Sequence, residues 1–186
     1  MLRLPLESPT VNPLDPPILL LGILITTILF VMIAFFTRAT PRRIAGALIA
    51  SIPIVPLVMF YDSIAARLGW WHYPSVTTGA APLAWYVAAA LGYGAAFGLV
   101  GWRMIRRFGW RGLLGFLIAL SVFGVARDVT YARTTSLIEF GPGSVPLIAD
   151  FFAYASSATL VQVLMYWLVG APGSDQLARQ KRIPAS

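Results

Sequence analysis

Four ionisable residues stand inside otherwise apolar stretches of the chain: Asp62, Arg127, Asp128 and Asp150. A carboxylic acid shielded from water keeps its proton until a substrate takes it, and a second group can remove one. Carboxylates in such surroundings therefore suit acid–base chemistry that needs no cofactor. Asp128 or Asp150 is the expected acid, with Asp62 and Arg127 completing the catalytic set and Arg127 keeping its partner charged. Asp150, Tyr154 and Ser157 follow i, i+4, i+7 and share one helix face, while Tyr131 lies one turn beyond Arg127 and Asp128. Tyr131, Tyr154, Ser157 and His72 are the expected substrate-binding groups. Adjacent Arg127 and Asp128 project about 100° apart on a helix, so Arg127 is expected to pair with Asp62 or Asp150 instead. The competing view of this set is an ion-pair network that only locks helices together. His72, beside Trp70, Trp71 and Tyr73, reads more readily as an anchor at head-group level than as a proton carrier.

Other chemistries are closed off by composition. Without cysteine there is no disulfide, thiolate site or catalytic thiol, and with His72 as the single histidine a multi-His metal centre is impossible. No metal ligand set and no cofactor is expected. The chain lacks a Walker loop, a GxGxxG unit after a strand, HExxH and GxSxG. A net charge of +7 invites a nucleic-acid partner, but the basic residues sit in short segments beside apolar runs. There they serve orientation and contact with anionic lipid, so no nucleic acid is expected.

The elements that must position these groups are membrane helices. With 58% hydrophobic and 11% charged residues, the chain is far less charged than a soluble domain, where about a quarter is usual. Residues 1–17 hold five prolines and read as an irregular arm, residues 18–170 as an all-α domain of five transmembrane helices, and residues 171–186 as a basic tail. The spans are expected over 18–36, 44–66, 82–102, 112–135 and 145–169. Positive charge follows the first apolar run instead of preceding it, which predicts a retained span and not a cleaved signal. Pro53 and Pro56 predict a kink in the second span. Gly94, Gly98 and Gly101 predict close helix packing in the third.

Depth follows from helical rise. Residues 112–126 carry no charge and climb about 22 Å of a hydrocarbon core roughly 30 Å thick. Arg127 and Asp128 then fall about 8 Å short of the far boundary, with Asp150 about 7 Å and Asp62 about 3 Å below it. A charge there costs about 2 to 3 kcal/mol unless paired or wetted. Ten of the fourteen basic residues lie after the first span, after the third and in the tail, which share one side if there are five spans. That side is expected to be the cytoplasm of a bacterial cell, with the N-terminus outside an inner membrane and the C-terminus within.

Two helical hairpins also match at a shift of 64 residues. Gly79-Ala80-Ala81-Pro82-Leu83 pairs with Gly143-Ser144-Val145-Pro146-Leu147, and Arg42-Arg43 with Arg106-Arg107. One peripheral helix plus two hairpins about a pseudo-twofold axis is the predicted layout.

The late Asp62, the aromatic turn Gly69-Trp70-Trp71-His72-Tyr73 and the following Gly79…Pro82-Leu83 resemble the hairpin of lycopene cyclase domains of bacterial carotenoid synthesis. The resemblance covers about a hundred residues and implies a small multi-pass protein of duplicated units acting on an isoprenoid. Ala84-Trp85 and Ile148-Ala149 stand where that family places glutamate, and Asp150 is one residue further on. The expected partners are membrane lipid, a lipid or isoprenoid small molecule, and a second copy or another subunit. A non-catalytic scaffold or assembly subunit, or a small transporter, are the alternatives.

Overall fold

A computed structural model describes residues 14–76, 81–135 and 137–172. The Pro-rich arm up to residue 13, the Gly79-Ala80 half of one repeat signature and the basic tail with Arg179, Lys181 and Arg182 lie outside the described residues. The described residues are all-α apart from one two-residue ladder. Its elements are α1 (Pro16–Phe36), α2 (Pro41–Ser51), α3 (Ile54–Leu68), β1 (Trp71–His72), α4 (Leu83–Ala89), a π-helical segment (Ala90–Ala96), α5 (Phe97–Thr134), β2 (Glu139–Phe140) and α6 (Val145–Val169).

Among the described residues, four helical runs are long and apolar enough to cross a membrane: Pro16–Phe36, Pro41–Leu68, Leu83–Thr134 and Val145–Val169. Each shows large exposed hydrophobics, such as Leu20, Val31 and Phe35 on α1 and Phe152 and Trp167 on α6. In water such surfaces would aggregate; against lipid chains they carry no penalty.

Two breaks shape these runs, and both have residue-level causes. Proline has no N–H, so Pro53 cannot bond the Ile49 carbonyl and Pro56 cannot bond that of Ile52. Tighter turns repair both losses, with Ile52 N–H donating to Ile49 O and Val55 N–H to Ile52 O, each at 3.2 Å. The result is the kink between α2 and α3. The second break is Gly109, at φ 68° and ψ −157° inside α5. Only glycine adopts that backbone cheaply. In a straight helix Tyr93 and Arg127 would stand about 51 Å apart. Instead the Arg127 guanidinium lies 4.8 Å from the Tyr93 ring centre, so the chain folds back at Gly109. The stretch Arg103, Arg106, Arg107, expected as a loop, is therefore helical, and a single residue makes the turn. Arginine is a good helix former, and no stop signal precedes Gly109.

Packing is closest where side chains are missing. A Cβ on Gly94 would sit 2.6 Å from Ser51 Cβ of α2, and one on Gly98 would sit 2.8 Å from Val161 Cγ1 of α6. The glycine stripe thus serves two neighbours. Gln162 of α6 donates to the bared Gly98 carbonyl at 3.1 Å. Arginines close the same end of the bundle: Arg103 donates to the Thr37 carbonyl at 3.0 Å, satisfying the C-terminus of α1.

The core has two apolar clusters. One, toward the arginine end, gathers Ala47, Ala50, Ile54, Ala95, Leu99, Trp102, Val161 and Met165. The other lies under the connecting loops and holds Ala65, Trp71, Tyr73, Tyr86, Leu137 and Ile138. Above it β1 and β2 pair antiparallel, Trp71 opposite Phe140 and His72 opposite Glu139.

Candidate functional site

The polar residues gather around a cavity of about 450 Å³, within the size of small-molecule sites generally. Every long helix contributes. Ile18, Gly22, Ile25 and Thr26 come from α1, Val58, Tyr61 and Asp62 from α3, and Trp85, Ala88 and Tyr93 from α4 and the π segment. Arg127, Asp128 and Tyr131 come from the returning arm of α5, and Asp150, Ala153, Tyr154 and Ser157 from α6. Asp150, Tyr154 and Ser157 do share the face their spacing predicts.

Arg127 and Asp128 form one closed set with Tyr154. Arg127 Nε donates to Asp128 Oδ1 at 2.7 Å, its Nη2 donates to the Tyr154 hydroxyl at 2.6 Å, and that hydroxyl donates to Asp128 Oδ2 at 2.7 Å. The guanidinium also lies over the rings of Tyr93, Tyr131 and Tyr154, at 4.8, 5.5 and 5.8 Å. This corrects the expectation that Arg127 would pair with Asp62 or Asp150. A 100° offset separates Cβ directions, but arginine's long stem lets its head curl back to the adjacent carboxylate. Tyr154 then holds both partners, which short-range charge alone would not fix.

Gly124 makes room for this arrangement, since a Cβ there would come within 2.5 Å of the Tyr154 ring. Gly124→Ala is expected to push the ring off α5 and destabilise the fold by about 1 to 3 kcal/mol. Thermal melting in detergent measures it, and an unchanged midpoint would contradict the role given to that contact.

Asp62 is satisfied differently, with no cation among the described residues. It accepts from Trp71 Nε1 at 3.0 Å, Tyr73 Oη at 3.1 Å and Tyr86 Oη at 2.9 Å, and Tyr86 in turn accepts the Ala81 N–H at 2.9 Å. The carboxylate ties the aromatic turn and the start of α4 to α3. Burial, then the nearby Asp62 charge, hold the Tyr73 phenol well above the ordinary tyrosine range, so it is a proton donor at any physiological pH.

Asp150 is the exception. It is 6% exposed, and its Oδ2 is buried with no hydrogen-bond partner among the described residues. Native structures leave few such atoms, and each marks strain, catalysis or an absent ligand.

His72 does not belong to the cavity, contrary to expectation. Side chains alternate along a strand. Trp71 therefore points inward to Asp62, while His72 points outward and faces Glu139 with Nε2 3.4 Å from Oε2, both more than half exposed. Sequence reasoning also missed Trp71, Tyr73, Tyr86 and Tyr93. The alternation Trp71-His72-Tyr73 could have shown the first two as an inward pair, and Tyr86 lies 64 residues before Asp150, at its repeat counterpart. Among the described residues no three acidic or imidazole groups converge as a metal ion would need.

The class these observations define is a multi-pass helical membrane protein, by helix length and composition, built around a buried Asp62/Asp128 polar network. No protein-family model, curated protein or solved structure matches the chain.

Proposed function

We propose that the protein takes an isoprenoid or another membrane lipid into this cavity and works on it by cofactor-free acid–base chemistry, with Asp150 as the acid. One observation carries the reading: a mostly apolar cavity of about 450 Å³ with Asp150 on its wall, a carboxyl whose Oδ2 is buried and unpartnered among the described residues. Asp128 is engaged by Arg127 and Tyr154, and Asp62 by three donors, which leaves Asp150 free to exchange a proton. In the simplest scheme its carboxyl proton adds to a carbon–carbon double bond. The carbocation loses a proton from a neighbouring carbon, and a carboxylate takes it up. Aromatic faces of Trp85 and Tyr93 on the cavity wall would favour the transient positive charge.

Counting the reversal at Gly109 as a boundary gives five spans, one peripheral helix and two similar hairpins. The antiparallel pairing of β1 with β2, one loop from each hairpin, suits a twofold relation between them. Placing the arginine end in the cytoplasm, as the charge distribution favours, sets the cavity in the outer half of a bacterial inner membrane. The resemblance to lycopene cyclase domains points to the same substrate class, with Asp150 one residue beyond the family's glutamate position.

The test is lipid analysis of the protein purified in a mild nonionic detergent. Wild type is expected to carry one lipid or isoprenoid per chain and the cavity-filling Ala153→Phe none. Asp150→Asn is expected to retain the molecule but in unreacted form, with turnover down at least about a hundredfold. Recovery of the same lipid from Ala153→Phe would refute binding in the cavity. Unchanged turnover in Asp150→Asn would leave the second reading, a non-catalytic membrane scaffold. The saturated bonding of Asp62 favours that alternative, since it describes a fastener.

A further inference from the structure

The charges around the cavity are unequal. Asp62, Asp128 and Asp150 face it, and Arg127 is the one cation among the described lining residues. That guanidinium is already taken up by Asp128 and Tyr154 and covered by three tyrosine rings. The arginine-rich end of the bundle contributes nothing here: Arg42, Arg43, Arg103 and Arg106 are absent from the wall. An anionic head brought into this space would meet carboxylates with no free cation to receive it, and an unpaired charge in such surroundings is strongly disfavoured. A positive or uncharged group meets the opposite situation, the Asp150 carboxyl on the wall, its buried Oδ2 without a partner among the described residues, and aromatic faces.

We infer, resting on the lipid-binding reading, that the cavity accepts cationic or uncharged amphiphiles and excludes anionic-headed ones, with Asp150 as the selecting group. Phospholipids with net negative heads and phosphorylated prenyl chains are thereby shut out, although the surrounding bilayer supplies such molecules in quantity. A neutral polyene and a long-chain amine remain admissible. The former develops positive charge only on protonation; the latter brings it in.

Three probes sharing one chain separate these classes: dodecyldimethylamine, dodecanol and dodecyl phosphate, titrated at neutral pH into the full-length protein in a nonionic detergent. Saturable binding is counted as the part that Ala153→Phe removes. The amine is expected to bind most tightly and the phosphate at least about tenfold more weakly than the alcohol. In Asp150→Asn, a change of one atom type with little change of shape, the amine should lose its advantage over the alcohol. Phosphate binding as tight as amine binding overturns the selectivity while leaving lipid binding intact. An amine preference that survives in Asp150→Asn overturns the assignment to that residue. Absence of saturable binding for all three probes in wild type removes the lipid-binding reading itself, and the selectivity with it.

Discussion

Asp62→Ala is expected to be among the most damaging single substitutions in the chain. It strands three donors at once, Trp71 Nε1, Tyr73 Oη and Tyr86 Oη, in a region where Asp62 itself is 4% exposed. A buried donor left without a partner costs about 1 to 3 kcal/mol, so the combined loss is about 3 kcal/mol or more. For a chain of this size that corresponds to a midpoint lowered by about 6 °C or more. Asp62→Asn keeps one acceptor oxygen and should fall between the two. Scanning calorimetry or fluorescence melting in detergent reads the series. A midpoint for Asp62→Ala within a degree of wild type would show that the aromatic turn is held by packing alone. The same variant should also loosen the turn before the bundle, because Asp62 is what joins Trp71 and Tyr73 to α3. Proteolysis between α3 and α4 is the local readout.

Arg127→Met should destabilise by a similar or larger amount for a different reason. It leaves Asp128, 7% exposed, as a buried carboxylate with Asp62 and Asp150 on the same cavity wall. Removing one partner of a buried pair typically costs about 3 to 5 kcal/mol, most of it the penalty of the charge left behind. That origin predicts non-additivity. Arg127→Met combined with Asp128→Asn should recover much of the loss, because the second change removes the stranded charge. Arg127→Lys should not substitute well, since an ammonium cannot serve Asp128 and Tyr154 together from a position over three tyrosine rings. A double variant as unstable as the sum of its singles would mean the two residues act independently, against the closed Arg127–Asp128–Tyr154 geometry.

The long apolar runs and their polar interruptions were legible in the sequence, because span length and hydropathy are set by the bilayer. The kink at Pro53 and Pro56 was legible for the same kind of reason, a missing donor. The turn at Gly109 was not. Arg103 to Arg111 read as a loop by charge, yet charge outside the hydrocarbon does not end a helix, and one glycine at positive φ does. The pairing of Arg127 with its neighbour was also hidden, since helical angles place Cβ atoms and not the ends of long side chains. Which carboxylate would be left unpartnered depended on where Trp71, Tyr73, Tyr86 and Tyr154 landed, and those are contacts between elements 9 to 27 residues apart in the chain. Spacing within one helix cannot supply them. Gly124 could be seen as a small residue, but not as the floor beneath a tyrosine ring.

The most direct measurement is an experimental density map of the full-length protein in a lipid nanodisc. An elongated apolar density is expected between α1, α3, α5 and α6, with its functional end within hydrogen-bonding or van der Waals reach of Asp150 and the Arg127–Asp128–Tyr154 set intact beside it. A cavity that has collapsed, or that holds only ordered water bridging Asp150 to the other carboxylates, would contradict it.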